Sequence, residues 1–242
     1  MDLKELIETD NWQLYEKHVM YMRRKGYYSS TDRNFRFFNG NQWEGVILKN
    51  TDPASINFIK PIVNYKVGVV TSTDYAIIYN ADNYDSYEFR QEAKKAAELL
   101  TKKAQKICEA TKFDTKVKKC VKRSAINGEA LMYWYWDTSK EIPVVELKSK
   151  VDVLFGNENE DDIQEQPYIL LKRRMTLIQA QEYARKNKVD EELISAIHGD
   201  NFTQDESGDS SKEEVDDMVT IVTKMYKKEG TVHFSESAKF VD

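Results

Sequence analysis

The chain has 242 residues, with 40% hydrophobic and 32% charged side chains and a formal net charge of −5. That is enough to bury one large core or two small ones in a chain that is polar but still able to fold. Nine Gly and four Pro exclude a turn-rich repeat architecture, and two Cys without a Cys-x-x-Cys exclude a disulfide framework or a cysteine-rich zinc site.

Residues 2–26 read as a helix, broken near Asp10-Asn11, with Trp12, Tyr15, Val19 and Met22 on one face and Gly26 as the stop. The aromatic stretch from Arg33 to Trp43 reads as a turn around Asn39-Gly40, because Gly40 takes positive φ cheaply. Phe37 and Trp43 are its expected buried anchors, and Pro61 opens a helix over 60–72. Ile62, Val63, Lys66, Val67 and Val70 recur there at helical spacing. Residues 75–79 form a short strand candidate. Asp85 with Glu88 resembles a capping box that starts a helix to about Ala110. Its core face would hold Phe89, Ala93, Ala96, Leu100, Ala104 and Ile107. Thr111 with Asp114 offers the start of another helix, ending at Gly128. Cys108 and Cys120 fall near apolar positions of these helices and read as buried free thiols in a reducing compartment.

Strands at 130–137 and 142–148 pair antiparallel across a polar turn. The first, Leu-Met-Tyr-Trp-Tyr-Trp, is apolar on both faces and is expected to be covered on both. A third strand lies at 168–174, and Thr176 with Gln179 caps a helix to about Asn187. A further helix starts at Asp190, buries Leu193, Ile194 and Ile197, and ends at Gly199, with His198 near its C-terminal dipole. From 200 to 217 eight acids and one Lys suggest a mobile acidic loop. A hairpin at 218–226 and 231–234 closes the chain. The class is α+β, with two long Lys/Ala/Glu-rich helices packed on a small antiparallel sheet.

The sequence carries no familiar catalytic motif. His18, His198 and His233 have no second ligand at metal spacing, and there is no phosphate-cradling glycine loop and no Gly-x-Ser-x-Gly. The adjacent acids Asp161-Asp162 and Asp216-Asp217 lie in polar loops. Neither a catalytic site, a cofactor nor a metal is expected. The N-terminus lacks the apolar core of a signal peptide, and no apolar run is long enough to span a membrane.

Charge is unevenly spread. Between Lys94 and Arg123 there are 11 basic and 3 acidic residues, which leaves 25 basic and 38 acidic elsewhere. Lys94, Lys95, Lys102, Lys103, Lys118, Lys119, Lys122 and Arg123 are the candidate contacts. Three readings are open: a nucleic-acid surface, pairing between subunits, and a solvated helix face. The scarcity of Arg and absence of interleaved aromatics favour the last.

The order of features is informative. A polar amphipathic helix precedes Asn39-Gly40-Asn41-Gln42-Trp43, a loop and the Pro61 helix. Two long helices follow, ending in Asn127-Gly128-Glu129-Ala130, then the aromatic strand, Val151-Asp152-Val153-Leu154-Phe155-Gly156, and Tyr168 to Met175 with its two arginines. This resembles the N-terminal part of tailed-phage portal proteins over about residues 10–242. The resemblance implies one wing-like domain from a longer chain that continues into stem helices and a clip. It implies a closed ring, dodecameric in the family, at the capsid vertex of the virion, assembled in the host cytoplasm. DNA is packaged and ejected through such a ring, and the partners implied are further copies of the chain, the major capsid protein, terminase and head-completion proteins, with no membrane. The packaging ATPase would be a separate protein, so this chain reads as structural. The alternatives are a nucleic-acid-binding accessory protein using the Lys94–Arg123 helices, or an enzyme whose site is completed elsewhere.

Overall fold

A computed structural model describes residues 8–43, 45–47, 49, 56–73, 76–81, 87–138, 140–200, 217–239 and 241. The fold is α+β, and the chain divides into two units: residues 1–35 with 149–242, and residues 36–148.

The first unit is built on a sheet of four antiparallel strands in the order β3-β4-β5-β6. These are β3 (Val153–Phe155), β4 (Ile169–Thr176), β5 (Met218–Lys228) and β6 (Thr231–Ser237). β4 and β5 pair over their full shared length, Ile169 opposite Met225 through Thr176 opposite Met218. Helix α1 (Asn11–Arg24) starts at Asp10, whose carboxylate accepts the Trp12 N–H at 2.7 Å. Its Trp12, Leu14, Tyr15, Val19 and Met22 pack with Leu170, Val222, Val151 and Leu154. A second cluster joins Ala180 and Ala184 of α6 (Leu177–Lys186), Ile194 of α7 (Glu191–Ala196), Ile197, Val219 and Ile221. Side chains alternate along a strand, so Val222 faces one cluster while Val219 and Ile221 face the other. β5 is therefore covered on both sides from Val219 to Lys224.

Local signals set the ends of these elements. Thr176 and Gln179 complete a capping box at α6, at 3.2 and 3.3 Å. Glu229 and Gly230 both take positive φ in the two-residue turn joining β5 to β6.

In the second unit, helices α3 (Ile59–Val70), α4 (Tyr87–Ala110) and α5 (Phe113–Asn127) accompany the hairpin β1 (Leu131–Asp137) and β2 (Ile142–Lys148). α5 packs against α3, α4 and β2. The hairpin register runs from Leu131 opposite Lys148 to Asp137 opposite Ile142. Gly128, at φ 87°, ends α5 as the sequence suggests.

Several expectations are corrected. The stretch before Gly40 is a helix, α2 (Tyr27–Asn39), and not a turn; only its Asn39-Gly40 end turns, with Gly40 at φ 85°. Residues 76–79 form no strand, and Tyr75 and Asp85 lie outside the described residues. Thr111 does not cap α5: its hydroxyl donates back to the Ile107 carbonyl at 2.7 Å, and α5 starts from Lys112 without a side-chain cap. β1 is not covered on both faces, since Trp134 and Trp136 are exposed. Cover on both faces is found instead on β5, where Thr and Lys disguise the apolar pattern, and on β4 at Leu170–Lys172. The three-residue β3 was not expected as a separate strand. In α7 Ile194 is buried but Leu193 is exposed, and the helix stops at Ala196, two residues short of His198. Cys108 and Cys120 are half-buried, not buried.

The proposed acidic loop is also redrawn at one end. Residues 201–216 lie outside the described residues, but Asp200 is buried. Its carboxylate accepts from the Thr220 N–H, from the Thr220 hydroxyl at 2.9 Å and from Arg174 Nη1 at 3.1 Å. Arg174 also reaches the Asp200 carbonyl, at 3.1 Å. A buried carboxylate is tolerated because each of these partners is in place.

Candidate interaction surfaces

The second unit buries little. Among the described residues its buried apolar side chains are Phe38, Ala81 and Val145, and large exposed ones recur on α3, α4 and β1. The sharpest case is α3. Successive helical residues turn by about 100°. Val63 and Val67 therefore share a side, and they are the half-buried residues of this helix, which packs on α5. Phe58, Ile62, Tyr65 and Val69 line the opposite side and are 68, 54, 73 and 54% exposed. No residue of α3 is buried, although most of its side chains are apolar. Its apolar residues fall on two opposite sides, separated by Lys60, Asn64 and Lys66, and its own chain covers only one of them.

The start of this unit is held by a small junction. Phe38 is buried, with Lys122 Nζ 5.0 Å and Lys60 Nζ 5.9 Å from its ring centroid. Asn57 donates from Nδ2 to the Phe38 carbonyl at 2.9 Å and accepts the Lys60 N–H at 3.0 Å, serving the first turn of α3. Pro61 is the third residue of that helix, where an N–H also has no intrahelical partner. A Cβ on Gly40 would meet Asn57 Nδ2 at 3.0 Å. Of the anticipated anchors, Gly40 and Pro61 sit at this junction. Phe37 and Trp43 are 41 and 37% exposed, and the buried ring is Phe38. Helical phase would have found it, because Tyr28, Thr31 and Phe38 are buried along one side of α2.

The basic residues spread over two helices. Lys94, Lys95, Lys102 and Lys103 of α4 and Lys118 and Lys119 of α5 are exposed. Lys122 and Arg123 are half-buried, Lys122 being engaged with Phe38. Lys94 and Lys102 border an open groove between residues 78–81 and α4, where the Tyr79 N–H donates to Thr101 Oγ1 at 3.1 Å. The eight cations are not brought to one point.

The hairpin adds aromatic surface. Trp134 touches Phe113 with ring centroids 5.3 Å apart yet remains 51% exposed, and Trp136 is 59% exposed. On the other face Tyr133 and Tyr135 stack at 5.6 Å. Burial and the Tyr135–Glu146 hydrogen bond push the Tyr135 hydroxyl up to about 12. Burial first, and then neighbouring acids, raise the Cys108 thiol, while burial raises that of Cys120; neither is poised as a thiolate nucleophile.

A model of the family described as phage P22-like portal protein matches residues 21–236. The chain belongs to the P22-like portal protein family. No curated protein matches it. The match covers both units, and the family is structural and not enzymatic. Among the described residues of this portal protein no group of His, Cys, Asp and Glu is arranged to hold a metal ion, and no helix is long and apolar enough to cross a membrane. For a portal subunit, uncovered apolar helices and exposed tryptophans are the surfaces of interest, in place of a reactive cleft.

Proposed function

We propose that this chain is the wing segment of a portal ring, the channel through which double-stranded DNA is packaged and ejected. Both units then belong to the wing of a longer portal protein, at the capsid vertex of the virion, assembled in the host cytoplasm. Its partners are further copies of itself, twelve by family resemblance, with the major capsid protein, terminase and head-completion proteins. No catalytic step is assigned to it.

The observation that carries this reading is the uncovered side of α3, taken with membership of the portal family. A monomeric protein leaves few such patches without a partner. Identical subunits that join through unlike faces close into rings or run on as filaments. The acidic balance of the chain suits a channel, since tight phosphate binding would hinder sliding DNA. The intact natural protein, purified and measured by native mass spectrometry and negative-stain microscopy, should give closed rings of one subunit number. Monomers at all concentrations would defeat the reading.

The exposure of Lys94, Lys95, Lys102 and Lys103 supports the accessory reading, in which α4 and α5 bind nucleic acid. Binding of duplex DNA that is tight, stoichiometric and lost steeply with salt would favour that reading.

A further inference from the structure

The outer stripe of α3 has a polarity that narrows what covers it. α3 carries Lys60 and Lys66 and no acid, and α5, on which it packs, is rich in Lys. A partner for this side needs apolar contact within an acidic border. A lone phosphate backbone supplies the charge and not the apolar contact.

The first unit of the chain presents such a surface. Residues 36–148 contain 18 basic and 14 acidic side chains, and the remainder of the chain contains 18 basic and 27 acidic. Part of that excess is a ledge at 157–166, with Glu158, Glu160, Asp161, Asp162 and Glu165 and no base of its own, although Lys227 of β5 donates to its Gln164 carbonyl at 2.9 Å. At its crest Ile163 is 52% exposed among those carboxylates. The ledge is held in shape. Gln166 donates from Nε2 to the carbonyls of Asn157 and Glu160, both at 2.8 Å, and accepts the Asn157 N–H at 3.0 Å. Asp162 caps the single 3-10 turn through the Gln164 N–H at 2.7 Å. A pre-shaped ledge loses little conformational freedom on docking.

We propose that in the assembled ring the outer stripe of α3 on one copy packs on the acidic ledge of the adjoining copy, with Ile163 seated against Ile62, Tyr65 and Val69. The inference rests on the ring reading above. A head-to-tail ring requires two unlike patches per subunit, and these two are complementary in charge and both carry exposed apolar side chains.

The intact protein tests this in two ways. First, Ile62→Glu with Tyr65→Glu, and separately Ile163→Glu, should each raise the concentration at which rings form by about tenfold or more. The unfolding midpoint of the monomer should not move, because all three side chains are exposed. Second, Tyr65→Cys and Ile163→Cys proteins, one isotopically labelled, are mixed, assembled and treated with a short bismaleimide. Peptide mass spectrometry should find the two introduced thiols joined between labelled and unlabelled chains. Wild-type rings whose assembly is unaffected by either glutamate variant would overturn the contact while leaving the ring reading intact. So would a link from the α3 thiol only to residues 36–148 of the neighbour, or protection of that thiol by DNA alone. Failure of the wild-type protein to form rings would overturn the ring reading, and this contact with it.

Discussion

The two units of this chain spend their apolar residues differently. In the first, α1 and the α6–α7 pair sandwich a sheet, and the large side chains are inside: Tyr15, Val19, Leu170, Val219, Val222 and Ile194 are each no more than 1% exposed. In the second, Ile62, Tyr65, Phe89, Leu99 and Trp136 are all about half exposed or more. A protein surface is never free of apolar atoms, but a whole apolar side of a helix in water is unusual. The lesson is that the first unit is finished by its own chain, whereas the second is shaped for company.

The largest expected effect tests that division directly. Leu170→Ala should cost about 2–5 kcal/mol in the stability of the intact chain, because Leu170 is wholly buried against α1. Ile62→Ala should change the stability of the monomer by less than about 0.5 kcal/mol, as expected of a surface position. Denaturant titration of both variants at low protein concentration checks this. Equal losses would show that α3 is already covered within one chain.

The next effect sharpens the account of the first unit. Asp200→Ala removes the carboxylate partner of Arg174 and the acceptor of the Thr220 N–H and hydroxyl, at a cost of about 3 kcal/mol. Asp200→Asn should restore only part of it, since the amide replaces one acceptor with a donor. Thermal unfolding of the two variants decides between an essential network and an incidental one.

Gly40→Ala probes the junction at the start of the second unit. The left-handed backbone conformation costs an L-residue about 1–2 kcal/mol, and the new Cβ presses on Asn57. The loss should appear as early exchange of amides in α3 with the first unit still protected. Uniform loss of protection would make the two units a single cooperative block.

The smallest effect is a pH dependence. Burial lowers the His18 pKa, offset in part by Glu158, and its Nε2 lies 2.9 Å from the Tyr168 hydroxyl. The unfolded chain then takes up its proton at a higher pH than the folded one. Stability from His18 is complete above the ordinary histidine value near 6.5 and falls as the solution is acidified through it. His18→Gln should flatten the stability profile between about pH 7 and pH 5. An unchanged slope would assign the acid sensitivity to other groups.

Where sequence and structure agree, the signals are local. The break near Asp10-Asn11, followed by Trp12, Tyr15, Val19 and Met22, marks α1, and Thr176 with Gln179 marks α6. The Glu229-Gly230 turn fixes the final hairpin. Where they part, a long-range partner decides. The sequence marks β5 only as a strand of the closing hairpin, since Thr220 and Lys224 interrupt its apolar run, yet Thr220 serves Asp200 and Lys224 Nζ reaches the Thr9 carbonyl at 2.9 Å. α2 hides behind the Asn39-Gly40 turn signal, which ends a helix here. The candidate surface was only half legible. The Pro61 helix is plain from its spacing, but grouping Ile62, Val63, Val67 and Val70 as one stripe merges two sides. An apolar helix does not announce which side its own chain will cover.

One hydrogen-bonded doorway in the first unit has a practical consequence. The Asp200 N–H donates to the Met218 carbonyl at 2.9 Å, and the Leu177 N–H to the Asp217 carbonyl at 2.7 Å. The points where the chain leaves position 200 and returns at 217 are thus fixed side by side by contacts outside the intervening residues. Between two such posts, doubling the length of a flexible connection adds only about 0.6 kcal/mol. A fluorescent domain or affinity tag spliced between those posts would leave the sheet and its two helix layers as they are. It would give each subunit of an assembly one countable label.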